Sequence, residues 1–474
     1  MTRRAKIVCT LGPASSSQEQ VKKLVATGMD VARLNMSHGT YADHLAAYHA
    51  VRAASDEAGR GVGVLIDLQG PKIRLGTFEA GPVMLSAGSE FDLTADDVKG
   101  TARQAATTYP GLVADVKAGD QILIDDGRVV LGVTDVRGDR IATRVLVGGP
   151  VSDHKGLNIP GAALAISALS AKDEQDLRWA LGLRADMIAL SFVRGPDDAD
   201  PVRAIMDEMG ARLPVIAKIE KPQAVDVLPE VLEAFDGLMV ARGDLGVEMP
   251  LEQVPIVQKR AIGLAKDGAK PVIVATQMLE SMISAPRPTR AEASDVANAV
   301  LDGADALMLS AETSVGAYPA ETVATMAKII VAAEHECLHA DETLTGVPTT
   351  TGGAIARAAA EVGAIVNASA LVAFTMSGET ARRLARYRSP IPLLAFTPEQ
   401  ATRSQLALTW GVETFIVPPV VHTDDLVRQV ETALLDIGRC RTGDKVVIVA
   451  GSPPGTPGRT NALRVHRIGD AIAS

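Results

Sequence analysis

Eight short runs of apolar, largely β-branched residues recur along the chain, and most carry a charged or polar side chain at or just beyond the C-terminal end. They are 6–11 (KIVCTL), 31–36 (VARLNM), 63–68 (GVLIDL), 187–193 (MIALSFV), 215–220 (VIAKIE), 237–242 (GLMVAR), 272–277 (VIVATQ) and 306–310 (ALMLS). Helix-period segments lie between most of them, among them Gln18–Ala26, Asp43–Ala54, Glu174–Leu183 and Gln253–Lys266. Near-continuous apolar strands alternating with amphipathic helices require a parallel sheet covered on both faces. Eight such units close into a (β/α)8 TIM barrel, whose functional groups gather at the C-terminal ends of the strands. The polar residues stand at those ends: Arg33, Asn35 and Ser37; Asp67; Lys218 and Glu220; Arg242 and Asp244; Thr276; Glu312. Any one of them reads most simply as a cap or a solvated charge. Six strand ends doing so together point to a site.

The fifth and sixth runs carry the most specific chemistry. An isolated charge at the end of a buried strand costs several kcal/mol to desolvate, so Lys218 and Glu220 must be paired or must meet a metal or ligand. Two acidic side chains on successive strand tips, Glu220 and Asp244, suit a hard divalent cation such as Mg²⁺. The adjacent Lys218 suits an anion carried by that cation.

Two further units follow from spacing. The third run ends at Leu68 and the fourth starts at Met187, a gap too long for one barrel crossover. Within it, residues 71–154 alternate apolar and polar (QILI from Gln121, RVVLGV from Arg128, RIATRVLV from Arg140) with an Asp126-Gly127 turn. That pattern predicts a small antiparallel β-barrel rising from the catalytic rim as a lid. A Thr/Gly/Pro-rich stretch, 345–351, then introduces a helix from Ala354 and strands at Leu371–Thr375, Pro392–Phe396, Thr414–Val417 and Lys445–Val449, with a helix over Asp424–Ile437. This reads as an open α/β domain. The chain thus divides into barrel (1–70), lid (71–154), barrel again (155–344) and C-terminal domain (345–474). In the last, Thr375-Met-Ser-Gly-Glu-Thr380 joins a strand to a helix near Ala381. Thr375, Ser377, Gly378 and Thr380 there form a candidate phosphate site, over which the loop Gly451–Gly458 folds.

Composition excludes several classes. A net charge of −10 argues against nucleic-acid or membrane binding through a general field, so anionic substrates must be caught by local Arg, Lys and metal. Three scattered cysteines, Cys9, Cys337 and Cys440, give neither a disulfide framework nor a zinc spacing and fit the cytoplasm. The basic opening MTRRAK is followed by an apolar run that breaks at Gly12-Pro13, too early for a signal peptide, and no run reaches membrane-span length.

Six segments in order carry a resemblance: KIVCTLGPA from Lys6, ARLNMSHG from Ala32, DLQGPKIR from Asp67, AKIE from Ala217, MVARGDLG from Met239 with ATQMLES from Ala275, and PRPTRAEASDVANAVLDGA from Pro286. The chain resembles the pyruvate kinase family over essentially its whole length. The resemblance implies phosphoryl transfer from phosphoenolpyruvate to ADP, giving pyruvate and ATP as the last step of glycolysis. It implies Mg²⁺ on Glu220 and Asp244, for which Mn²⁺ could stand in. By similarity Lys218, Arg33 and Thr276 are catalytic, and Arg33, Gly243, Asp244 and Thr276 hold the substrate. Asn35, His38, Arg74 and Lys155 serve the nucleotide, and Asn35, Ser37 and Asp67 form a monovalent-cation pocket. It also implies a phosphorylated allosteric effector and a D₂ homotetramer with a subunit contact at 286–304.

The chain departs from the family where many members read DTKGPE. Here Leu68 replaces a threonine and Lys72 a glutamate. The expectation is that Lys72 supplies the positive charge K⁺ would bring, so that K⁺ is not required. Ala311 stands where a glycine usually precedes Glu312. Glu379 beside the effector loop favours a sugar monophosphate or AMP over a bisphosphate. The contrasting readings are a Mg²⁺-dependent lyase or aldolase working through a pyruvate enolate, and an inactive effector-binding relative. Arg74, Lys155 and the lid weigh against the first, and the intact Lys218 and carboxylates against the second.

Overall fold

The computed structural model describes residues 3–162, 165–337, 348–454 and 458–471. The expected division at 344/345, the first part of the 345–351 stretch and residues 455–457 of the Gly451–Gly458 loop lie outside them.

All eight barrel strands form: β1 (Lys6–Thr10), β2 (Val31–Asn35), β3 (Gly63–Asp67), β4 (Met187–Leu190), β5 (Val215–Ile219), β6 (Gly237–Ala241), β7 (Val272–Ala275) and β8 (Ala306–Leu309). They close in the order β1-β8-β7-β6-β5-β4-β3-β2, every pair parallel. Successive residues of a strand face opposite sides, and both sides are apolar here. Val8, Val31, Leu65, Ile216, Met239 and Ile273 fill the barrel interior. Their neighbours Ile7, Ala32, Ile66, Ala217, Val240 and Val274 pack beneath the helices. Full burial of each large aliphatic side chain is worth roughly 1.5–3 kcal/mol. The same alternation aims the functional residues. Counting on from Val31, Leu65 and Ile216, the side chains of Arg33, Asp67, Lys218 and Glu220 point into the barrel mouth, whereas Leu68 points outward.

Several sequence runs extend one to three residues beyond their strands. At those extra positions the backbone breaks from extended geometry: Phe192, Thr276 and Gln277 have φ of 57°, 70° and 55°. Arg242 opens a short helix, Arg242–Glu248, that periodicity did not reveal.

The inserted unit pairs its strands in two sheets. Val83–Leu85 pairs with Gly149–Val151, and a six-stranded sheet runs Leu157–Asn158, Gln121–Ile124, Val129–Arg137, Arg140–Val147, Glu90–Thr94, Gln104–Ala106. All pairs are antiparallel except the last. The hairpin at Asp125-Asp126-Gly127 places three successive residues at positive φ. The return limb still pairs with this sheet at Leu157–Asn158, a few residues past the expected boundary.

The C-terminal sheet contains β9 (Ala370–Phe374), β10 (Leu393–Thr397), β11 (Val412–Ile416), β12 (Lys445–Ala450) and β13 (Ala462–Arg467), in the order β11-β10-β9-β12-β13. The last strand is antiparallel and was not evident from the sequence. This domain docks on the N-terminal end of the barrel. Asp305, just before β8, accepts from Arg388 at 3.2 Å and from the Trp410 N–H at 3.1 Å, while the Lys6 Nζ reaches the Val412 carbonyl at 2.8 Å.

Candidate active site

Four inward side chains meet at the barrel mouth. Arg33 Nε donates to Asp67 Oδ2 at 2.6 Å, and its Nη1 donates to Thr10 Oγ1 at 2.9 Å. Lys218 Nζ lies 2.9 Å from Glu220 Oε1 and 3.3 Å from Asp67 Oδ1. Asp67 is 1% exposed and Glu220 2%. Burial alone would lower the Lys218 pKa, but Asp67 and Glu220 reverse this and hold it well above its ordinary value. Burial would likewise raise Asp67, yet Lys218 and Arg33 keep it below the usual carboxylate range. Burial, with the like charge of Asp244 behind it, pushes the Glu220 carboxyl up against the pull of Lys218. Lysine thus stays an ammonium, aspartate stays ionised, and Glu220 is short of positive charge.

That shortage tests the fit of a metal. Glu220 and Asp244 are close enough to perturb one another, and a divalent cation between them would relieve the repulsion. Two protein carboxylates with other oxygens drawn from substrate match the habit of Mg²⁺. Among the described residues no cluster of three or more His, Cys, Asp or Glu offers a closed metal cage.

The opposite wall is made by the ends of β6 and β7. The Gly243 N–H donates to Thr276 Oγ1 at 2.7 Å, and Thr276 Oγ1 donates to the Ala275 carbonyl at 2.6 Å. A Cβ on Gly243 would stand 3.3 Å from Thr276 Oγ1, so glycine permits this approach. Arg242 clamps the turn by donating to the Thr276 carbonyl at 2.9 Å and pairing with Asp295 at 2.7 Å. Gly243, Asp244 and Thr276 therefore sit together as expected. Glu312, counted among the polar strand ends, instead caps backbone: it accepts from Ser310 N at 2.7 Å and Leu279 N at 3.2 Å.

A cleft of about 510 Å³ opens from Asp244 between barrel and lid. Arg74 and Lys155 line it, as does Lys72. Lys155 pairs with Asp125 of the lid hairpin at 2.9 Å, and Arg74 donates to the His154 carbonyl at 3.0 Å. Lys72 is exposed and makes no ion pair among the described residues. Asn35 and His38 do not line this cleft. Asn35 Oδ1 accepts from the Ser37 N–H at 3.2 Å, and His38 is exposed on the loop after β2. Asp67 Oδ1 is buried without a well-aligned hydrogen bond. That oxygen, facing only the Lys218 ammonium at 3.3 Å on the strand paired with Asn35, keeps acceptor capacity for a monovalent cation.

Leu68, which stands where many members of the family have a threonine, takes no side-chain oxygen from that pocket. Its side chain is 1% exposed and packs in the outer core, one pleat away from Asp67. A hydroxyl at this position would face the helices, and what Leu68 offers inward is its carbonyl, which accepts from Ser191 Oγ at 2.7 Å. The turn that follows depends on Gly70: at φ +74°, its missing Cβ would fall 2.4 Å from the Phe192 ring.

Sequence reasoning missed several supports. Ser191 accepts from Lys218 at 2.6 Å, and the Phe192 N–H donates to Glu220 Oε2 at 2.8 Å. Both lie near the end of the fourth run; Ser191 carried the same polar strand-end signal as the others, whereas Phe192 acts through its backbone N–H and carried none. Lys221 pairs with Glu248 at 2.7 Å, and Glu248 also accepts from Asn158 of the lid's return limb at 2.9 Å. No spacing rule relates those three positions.

Residues 2–323 match the family described as pyruvate kinase, barrel domain, and residues 353–466 match pyruvate kinase, alpha/beta domain. The chain is 58% identical over 470 residues to a pyruvate kinase of Mycobacterium intracellulare, covering 99% of each. It belongs to the pyruvate kinase family. A pyruvate kinase of Corynebacterium glutamicum is 56% identical over 470 residues, covering 99% of this chain and 98% of its own. The crystal structure of a pyruvate kinase from Cryptosporidium parvum superposes with a TM-score of 0.91 at 34% identity, covering 98% of this chain and 96% of that one. The barrel, the inserted β sheets and the C-terminal α/β domain are thus those of a pyruvate kinase enzyme.

In the C-terminal domain of this pyruvate kinase the expected effector residues share one loop. Thr375 Oγ1 accepts from Gly378 N at 2.9 Å, Thr380 Oγ1 bonds Thr460 Oγ1 at 2.8 Å, and Ser377 is exposed. Gly378 takes the left-handed conformation that ends β9's turn and starts the helix Glu379–Ala385. The threonine hydroxyls are satisfied internally, which leaves Ser377 as the exposed one of the four.

Proposed function

We propose that this enzyme transfers the phosphoryl group of phosphoenolpyruvate to ADP in a Mg²⁺-dependent reaction without a K⁺ requirement. The observation that carries the reading is the charge arrangement at the barrel mouth: an ammonium and a guanidinium held by buried carboxylates, facing Gly243–Asp244 and Thr276. Phosphoryl transfer asks a protein for positioning and charge neutralisation more than for covalent chemistry.

Arg33, anchored by Asp67 and Thr10, is placed to grip the substrate phosphate. Lys218 stays charged and faces the phosphoryl group as it moves and the enolate as it forms. The turn at Gly243–Asp244 and the Thr276 hydroxyl receive the substrate carboxylate. Mg²⁺, or Mn²⁺ in its place, would be held by Glu220 and Asp244 and would supply positive charge to substrate oxygens. Arg74 and Lys155 line the cleft leading away from Asp244 and meet the ADP phosphates. Lys72, in the same cleft and without an ion pair among the described residues, brings the tethered charge that replaces K⁺. Closing the lid excludes water from transfer.

Around this core we read the division 1–70, 71–154, 155–344 and 345–474, with 155–159 as the return hinge. We further read a D₂ homotetramer, a phosphorylated effector on Thr375–Thr380 and a cytoplasmic location. The exposed Arg287 and Arg290 and the half-exposed Leu301 on the 286–304 segment support the first. The buried free thiols Cys9 and Cys440 support the last. No described helix is long and apolar enough to cross a membrane.

The test is pyruvate formation from phosphoenolpyruvate with ADP and Mg²⁺ each supplied or withheld. Product is expected only when both are present. Enolate chemistry proceeding without nucleotide would favour a lyase or aldolase and overturn the proposal.

A further inference from the structure

One buried charge pair joins three parts of the enzyme that the chain order keeps apart. Lys221 Nζ donates to Glu248 Oε1 at 2.7 Å, and Asn158 Nδ2 donates to the same oxygen at 2.9 Å. Both charged side chains are buried. Lys221 directly follows Glu220 at the tip of β5, and Glu248 closes the helix Arg242–Glu248 one turn after Asp244. Asn158 lies on the lid's return strand, where it pairs with Leu123. A second tie runs beside the first: Gln223 Nε2 donates to the Ala162 carbonyl at 3.4 Å.

Stability does not account for this arrangement. A buried ion pair gains little over apolar side chains of similar volume, because desolvation offsets the attraction. A carboxylate at the C-terminus of a helix also opposes the helix dipole. What the group supplies is direction. Two donors from different elements converge on one oxygen, so the lid strand, the tip of β5 and the Asp244 helix keep a fixed spacing while all three meet. Lys221 also lies over the Phe192 ring, its Nζ 5.5 Å from the centroid, and the Phe192 N–H holds Glu220 at 2.8 Å. Lys221 lines the catalytic cleft, but its ammonium is directed at Glu248.

We infer that Asn158, Glu248 and Lys221 are positioning residues through which the posture of the lid sets the spacing of the Glu220 and Asp244 carboxylates. The inference rests on the reading of those two carboxylates as the Mg²⁺ site. A lid swung off the rim takes Asn158 from Glu248 and leaves the helix bearing Asp244 held from one side only. By linkage, a lid posture that favours the metal is itself favoured by the metal.

The experiment uses two variants of the full-length enzyme. Asn158→Ala removes the lid's tie and leaves the buried pair intact. Lys221→Met combined with Glu248→Leu removes the pair without stranding either charge, so the fold survives. Mn²⁺ binding, followed by electron paramagnetic resonance with phosphoenolpyruvate present and ADP absent, should weaken roughly tenfold or more in each, the effect of losing an outer-shell support. In unliganded Asn158→Ala, amide hydrogen exchange should quicken at 242–248 as well as at 155–159. Parental Mn²⁺ affinity in both variants while Glu220→Gln loses it, or faster exchange confined to 155–159, would overturn the inference and leave a structural ion pair. If Glu220→Gln also keeps the parental affinity, the metal assignment is what fails, and the spread of exchange to 242–248 decides the coupling.

Discussion

Replacing Lys218 by methionine keeps the length of the side chain and removes its charge. In the structure that charge lies 2.9 Å from Glu220 and 3.3 Å from Asp67, with Ser191 at 2.6 Å. At an effective dielectric of about 20, each contact represents ~5 kcal/mol of gross attraction, most of it offset by desolvation. For catalysis the relevant quantity is the difference between ground and transition states. Losing one preorganised donor to developing charge typically costs ~3–4 kcal/mol, or roughly 10²–10³ in kcat. Arg33 is anchored independently by Asp67 and Thr10, so the KM for phosphoenolpyruvate should change by less than about tenfold. Initial rates of pyruvate formation at saturating ADP and Mg²⁺ measure both. The variant should also gain more thermal stability from Mg²⁺ than the parent does, because Glu220 and Asp67 have lost their cation. A kcat within about tenfold of the parent, or a loss confined to KM, would refute the role assigned to Lys218.

Glu220→Gln and Asp244→Asn should each raise the Mg²⁺ concentration needed for half-maximal rate by roughly tenfold or more, read from metal titrations; an unchanged requirement would remove that residue from the metal site. A K⁺ titration in large organic cations at constant ionic strength should be flat, and Lys72→Glu should introduce a K⁺ dependence; activation of the parent by about tenfold or more would contradict the substitution. Because Leu68 faces the outer core, reverting it to threonine should not be needed for that switch. Asp186 is buried with its pKa raised to about 6. Folding therefore favours its protonated form, and the stability it contributes is full below about pH 4 and lost as pH rises through 6. The melting temperature of the parent minus that of Asp186→Asn should fall across this window, by the equivalent of up to about 3 kcal/mol; a pH-independent difference would refute the shift. Light scattering at micromolar concentration should report a tetramer, and a monomer would exclude the assembly.

Much of the fold was legible because its signals are local. Apolar runs of strand length alternating with amphipathic helices leave few packings other than a parallel barrel, and the Asp-Gly hairpin marked the inserted sheet. The antiparallel strand Ala462–Arg467 escaped because its burial is mixed and partners on one side only. The helix Arg242–Glu248 is too short to show a period. The site was legible as a set of polar residues at strand ends, but not as a geometry. Glu312 carried the same signal as Glu220 and turned out to cap backbone.

By itself the sequence determined which residues could face one another. A strict two-residue alternation on β2, β3 and β5 commits Arg33, Asp67, Lys218 and Glu220 to the barrel interior once the neighbouring valines, leucines and isoleucines are buried, and it sends Leu68 the other way. Tertiary structure alone decided what those residues do to one another. Which cation neutralises which carboxylate depends on the register between strands β3 and β5, which are far apart in the chain and separated in the barrel by β4. Charge balance in a buried site is a property of positions within a few ångströms, and nothing in the linear order of residues encodes those distances.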